Sequence, residues 1–269
     1  MSELVERTEM LRPEPAQALG ALLDVPVPDL ARDGLPLLWH WFYLLDRPAQ
    51  ADLGPDGHPV RGAISAPPGH RRMWAGGRVA TQGPLRCGEQ ATRRSEVLSV
   101  REKQGRSGPL TFVVVRHQII QNGQLVVQEE QDIVHRAPAP LSIPDAGPVV
   151  PPAGDEWAID ITPTLLFRFS ALTYNAHRIH YDRDYARDVE GYPGLLTHGP
   201  LQALAMVEAA RARGETGVRH FEYRLVAPLF DHQGMVVRAD SVRDIHGRQT
   251  ATGRYGHRRD RQRLLDTAG

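Results

Sequence analysis

Tyr174-Asn175-Ala176-His177-Arg178-Ile179-His180-Tyr181-Asp182 is the densest run of reactive side chains in the chain, and eighteen positions beyond His180 stands His198-Gly199-Pro200. Histidine supplies a base near neutral pH. The second group opens the segment Leu201 to Arg211, where Leu201, Leu204, Ala205, Val207 and Ala209 fall mostly on one helical face. A helix start offers unpaired N–H groups and a partial positive charge, so the two stretches together predict a base beside an anion-accepting terminus. An apolar segment, Leu165 to Ala171, precedes the loop. Three strand candidates follow the helix, His220 to Leu225, Met235 to Val242 and Gln249 to Tyr255, with a turn at Ile245-His246-Gly247.

Upstream, Ala137 to Glu156 carries prolines at 138, 140, 144, 148, 151 and 152. So many missing N–H donors and fixed φ angles predict an extended connection, dividing the chain into residues 1–136, a linker at 137–154 and residues 155–269. In the first part, Glu9 to Leu23 reads as a short helical stretch interrupted by Pro13 and Pro15, and Leu35 to Leu45 is apolar and aromatic. Thr92 to Val100, Leu110 to Val115 with Ile119 and Ile120, and Leu125 to Val134 read as strands. Asn122-Gly123 between the last two is a hairpin signal. Pro84-Leu85 stands ahead of one strand run much as Pro228-Leu229 stands ahead of another, a faint echo between the halves. The pattern fits two copies of a strand-rich unit with a helix packed on its sheet, an α+β class.

Composition narrows the partners. The 269 residues hold 32 basic and 32 acidic side chains, which removes the broad positive field of a general nucleic-acid binder. Lys103 is the single lysine, and the many arginines fit either a GC-rich genome or forks for anionic groups. One cysteine, Cys87, excludes an internal disulfide and points to a reducing compartment. Glu3, Glu6, Glu9 and Glu14 occupy the stretch where a secretory leader needs a basic start, and no apolar run reaches the length of a membrane span. A cytoplasmic protein is expected.

The register Asn175 to Asp182 with His198-Gly199 resembles the MaoC-like hot-dog hydratase and dehydratase family, whose loop motif runs roughly D-x-N-P-[IL]-H-x-D ahead of a His-Gly at the central helix. Two departures stand out: Asn175 occupies the place of the family's catalytic aspartate, and His177-Arg178 replaces Asn-Pro. Leu35 to Leu44, Arg71 to Gly77 and Tyr174 to Asp182 are more similar to a two-hot-dog subgroup that includes mesaconyl-C4-CoA (3-methylfumaryl-CoA) and itaconyl-CoA hydratases, over about Thr8 to His257.

The resemblance implies a double hot-dog fold, each antiparallel sheet wrapped around a central helix. The N-terminal unit has no counterpart of Tyr174 to Asp182, so it is expected to be non-catalytic and to shape the acyl site. The implied reaction is reversible hydration of an enoyl-CoA to a 3-hydroxyacyl-CoA, with a branched dicarboxylic acyl group. His180 would move the proton, Asn175 would orient water, and the Gly199 N–H would hold the thioester oxygen. Tyr174, Arg178 and His198 are the implied substrate-binding residues. No metal and no cofactor is expected beyond the coenzyme A carried by the substrate. The expected partners are that acyl-CoA and, in a homodimer, a second copy, with no nucleic acid and no membrane.

Other readings stand beside these. Asn175 is also a turn former, Arg178 and Asp182 are also solvated charges, and Arg71 and Arg72 are either surface cations or contacts to a coenzyme phosphate. Trp39, Trp41 and Trp74 read as core, and Cys87 as inert. A metal at His177, His180 and His198 lacks a familiar ligand pattern. A hot-dog thioesterase or a non-catalytic acyl-CoA binder are the alternative functions.

Overall fold

Alternating exposure makes Val5–Met10 the first strand, β1, which takes in Glu9 and Met10 of the stretch expected to be helical. The computed structural model describes residues 4–62, 64–67, 69–105, 108–138, 147–215 and 218–256. The first half adds β2 (Arg71–Thr81), β3 (Gln90–Gly105), β4 (Gly108–Gln121) and β5 (Gln124–Arg136). The second half contributes β6 (Trp157–Ile159), β7 (His220–Leu225), β8 (Met235–Val237), β9 (Ser241–Arg243) and β10 (Gln249–Gly256). All join one antiparallel sheet in the order β1-β3-β4-β5-β2-β7-β10-β9-β8-β6. Read outward from the β2–β7 pair, where Gly76 to Ala80 face His220 to Arg224, each half has the same strand sequence. Pro84-Leu85 and Pro228-Leu229 precede the topologically equivalent β3 and β8. This is the expected double hot-dog.

Several local expectations need correction. The helical stretch begins only at Glu14: α1 is Glu14–Leu23, with Pro13 as its N-cap and Pro15 in the first turn, where no N–H is missed. Met235 to Val242 is two strands, because Arg238 N–H turns back to the Ser241 carbonyl at 2.8 Å. β2 escaped the strand reading because Gly76-Gly77 interrupts it. A Cβ on Gly76 would lie 2.4 Å from the Tyr223 carbonyl oxygen, so the close join between the halves accounts for that glycine. The Asn122-Gly123 hairpin is present, with φ of 52° and 73° as a type I′ turn requires.

The second half carries α2 (Pro163–Leu172), α3 (Arg183–Asp188) and α4 (Gly199–Ala212). Leu201 to Ala210 is buried all round instead of on one face. The two polar groups this encloses are satisfied: Trp39 Nε1 donates to Glu208 Oε1 at 2.7 Å and Thr250 Oγ1 donates to Gln202 Oε1 at 2.7 Å. Among the described residues the first half has no helix as long as α4; α1 and short 3₁₀ turns at Trp39–Phe42 and Gln50–Asp52 connect β1 to β2. One apolar core runs through both halves, with Leu19, Trp39 and Val79 in the same cluster as Leu166, Leu204 and Phe221. Residues 137–138 and 147–154 of the linker are irregular, and 139–146 lie outside the described residues.

Candidate active site

Thr162 starts α2 by accepting the Leu165 N–H on its Oγ1 at 3.1 Å. The helix exit is tightened by Thr173, whose hydroxyl donates to the Phe169 carbonyl at 2.8 Å, and by Tyr174 in the left-handed region at φ 52°. Asn175 then fixes the bend: its N–H donates to the Ser170 carbonyl at 2.8 Å and its Oδ1 accepts the His177 N–H at 3.0 Å. The turn reading of Asn175 is therefore realised, while its amide NH₂ has no acceptor among the described residues.

His180 ends the short turn Arg178–His180 and is buried. Its Nδ1 lies 2.7 Å from the Leu196 carbonyl oxygen, which can only accept. The neutral ring therefore carries its proton on Nδ1 and keeps the Nε2 lone pair. Burial lowers its pKa to about 4, so the ring is uncharged at neutral pH. His198 stacks on it with ring centroids 3.7 Å apart at 18° and bonds Ser170 Oγ through Nε2 at 2.8 Å. Burial holds His198 well below the usual imidazole range, and burial with neighbouring His58 does the same to His177.

These residues open on a cavity of about 1020 Å³. Asn175, His180, Gly199, Tyr174 and His198 all line it. The Gly199 N–H, at the start of α4, donates to no acceptor among the described residues. Opposite walls come from the first half: Trp41, Trp74, Phe112 and Ile119. Trp39 is core as expected, whereas Trp41 and Trp74 face the cavity and bond Glu129 Oε1 at 2.8 Å and the Gly76 carbonyl at 3.0 Å. Buried Glu129 also accepts from His40 and Gln131, which makes it a fully engaged wall residue. Cys87 is buried, with its thiol pKa raised by that burial.

Arg178 lies outside the cavity lining. It pairs with Asp182 at 2.7 Å, lies 4.1 Å above the Tyr185 ring, and donates through Nη1 to the Pro55 carbonyl at 3.0 Å, while its N–H donates to the Asp56 carbonyl at 2.9 Å. Asp182 also caps α3, accepting the Tyr185 N–H at 3.0 Å. Arg178 thus fastens residues 55–58 of the first half onto the reactive loop. The contact is tight enough that a Cβ on Gly57, at φ 88°, would sit 1.8 Å from the Ala176 carbonyl oxygen.

That docked loop brings in Asp56 and His58, which the sequence reading missed. His58 Nδ1 is 3.0 Å from Asp56 Oδ2 and its ring centroid is 3.9 Å from that of His177. No spacing rule links positions 119 residues apart; the only local signal was an isolated histidine in a Gly/Pro-rich turn. Asp56, His58 and His177 are close enough to hold a cation, a different trio from His177, His180 and His198.

Known proteins resemble this chain over the stretches that build the cavity. The family described as hydroxyacyl-thioester dehydratase type 2 matches residues 38–231. The mesaconyl-C(4)-CoA hydratase of Chloroflexus aurantiacus is 48% identical over 80% of this chain and 79% of its own. The mitochondrial hydroxyacyl-thioester dehydratase type 2 of Schizosaccharomyces pombe is 34% identical over 41% of this chain and 38% of its own. Among solved structures, HtdX of Mycobacterium tuberculosis superposes with a TM-score of 0.63 at 14% identity, covering 94% of this chain and 99% of that one. A second M. tuberculosis protein, described as a double hotdog, superposes at 0.54 and 16%, with 94% of both chains covered. The matched region takes in the reactive loop, the start of α4 and the β2–β7 join, and on that ground the chain belongs to the hydroxyacyl-thioester dehydratase type 2 group of MaoC-like hot-dog proteins.

Proposed function

We propose that the protein adds water reversibly across the carbon–carbon double bond of an acyl-CoA thioester, with a branched dicarboxylic acyl group such as that of mesaconyl-C4-CoA, where the bond is α,β, or itaconyl-CoA, where it is β,γ. The observation that carries this reading is the fixed tautomer of His180: a neutral base facing the cavity beside the free N–H of Gly199. Water held by the Asn175 NH₂ loses a proton to His180 Nε2 as its oxygen bonds to the β carbon. Charge that develops on the thioester oxygen is stabilised by the Gly199 N–H, a kind of contact worth about 10²–10³ in rate. The His180 proton then passes to the α carbon. In the reverse direction the same groups expel water.

The residues of this chain perform each step, with coenzyme A entering only as part of the substrate. The first half shapes the acyl pocket and holds the reactive loop. No helix among the described residues is long and apolar enough to cross a membrane, in keeping with a cytoplasmic hydratase.

Hydration of mesaconyl-C4-CoA, followed by loss of the conjugated absorbance, tests this. His180→Ala should lower turnover by about 10²–10⁴; turnover equal to the wild type would refute the assignment. Thiol release without hydration would make the protein a thioesterase, a reading that the engagement of Glu129 by three donors disfavours.

A further inference from the structure

Four arginines line the cavity: Arg71, Arg72, Arg93 and Arg136. Arg71 pairs with Glu190 at 2.6 Å and Arg93 with Asp46 at 2.7 Å. Arg72 and Arg136 form no ion pair within 4.0 Å among the described residues. Their positions differ. Arg136 closes β5, and its charge acts on Tyr192. Arg72 stands on β2 opposite His135 and shares a strand face with Trp74, and its charge adds to burial in keeping His58 and His177 neutral. The carboxylates whose fields reach Arg72 are Asp56 and Asp46, and both are already bonded, to His58 and to Arg7 and Arg93.

Arg72 is half-buried on the cavity wall with uncharged imidazoles nearby, and a guanidinium without a carboxylate partner there gains by bonding an anion. The same positive charge disfavours a divalent cation at Asp56, His58 and His177. The substrate class proposed above carries a suitable anion. In a 3-methylfumaryl thioester the free carboxylate is attached to the β carbon, the atom that water attacks. Its receptor must therefore lie close to the base, and Arg72 lines the same cavity as His177 and His180, whose rings are 5.4 Å apart.

We propose that Arg72 is the carboxylate receptor: its fork takes the free carboxylate on the β carbon and makes the site select branched dicarboxylic over neutral enoyl thioesters. This rests on the hydratase reading and goes beyond it by naming the residue that chooses the substrate. Planar guanidinium and carboxylate groups meet in two parallel hydrogen bonds, which orient as well as hold. Bound this way, the β carbon presents one face to the water on Asn175.

The test compares kcat/KM for mesaconyl-C4-CoA and crotonyl-CoA in wild type, Arg72→Met, Arg72→Lys and Arg136→Met. Arg72→Met should lower the ratio of the two values by about 10- to 100-fold, the size of a lost charge-assisted hydrogen bond. Arg72→Lys, which keeps the charge and loses the fork, should lower it several-fold and carries the comparison if the methionine variant does not fold. The drop should persist with the N-acetylcysteamine thioester of mesaconate, which has no nucleotide or phosphate. Equal losses on both CoA substrates, or an effect that vanishes with the truncated thioester, would assign Arg72 to coenzyme phosphate and overturn the proposal. A drop caused by Arg136→Met and not by the Arg72 variants would overturn it too. A wild-type protein that hydrates neither thioester would remove the hydratase reading itself, and the proposal with it.

Discussion

At Asn175 a single side chain does two things, closing the turn through Oδ1 and lining the cavity. The two can be separated. Asn175→Ala should lose both and lower turnover by about 10-fold or more, within the range for positioned proton-transfer groups. Asn175→Asp keeps the turn acceptor and adds an anion near His177 and His180, which raises an imidazole pKa. The acid limb of the rate profile, expected near the His180 value of about 4 in the wild type, should then move upward; pH profiles of kcat/KM for both proteins measure this. That His180 and Gly199 share one cavity was legible, because their order and spacing resemble a known motif. The position of Arg178 outside the cavity lining was not legible, since a sequence does not reveal that Asp182, one helical turn on, engages its guanidinium.

At the scale of elements, the reactive loop is held by a loop from the other half. Gly57→Ala introduces both a strained φ and a collision with Ala176, so it should destabilise the protein by more than about 1 kcal/mol and lower activity as well. Arg178→Ala should slow turnover of dicarboxylic and neutral substrates alike, by about 10- to 100-fold if the loop shifts by roughly an ångström. Unequal loss would return Arg178 to substrate binding. Strands with alternating or β-branched sequence and an Asn-Gly turn were readable, as was the helix after His198. β2 and the 55–58 loop were hidden because their glycines answer to backbone brought near only in the folded chain.

For the whole molecule, the β2–β7 pairing and the common core make the halves mutually dependent. Residues 155–269 alone would expose the β7 edge and apolar core residues such as Phe221, and should aggregate when expressed alone. Co-expression with residues 1–136 should recover a soluble complex by size-exclusion chromatography. The buried histidines also set an acid limit. His177, His180 and His198 have folded pKa values below the unfolded value of about 6.5. The unfolded chain therefore binds more protons below that pH, and stability should be full above pH 6.5 and fall as pH drops toward 4. Thermal unfolding at pH 7.5 and 5 checks the sign.

The shorter helix of the first half leaves much of the cavity wall to its strands. Side chains such as Phe112 and Ile119 line that wall, remote in sequence from the Tyr174 to Asp182 loop. The loop and these walls thus lie in separate stretches of the chain. Substitutions among the wall residues can reshape the cavity while the residues of the loop keep their identities.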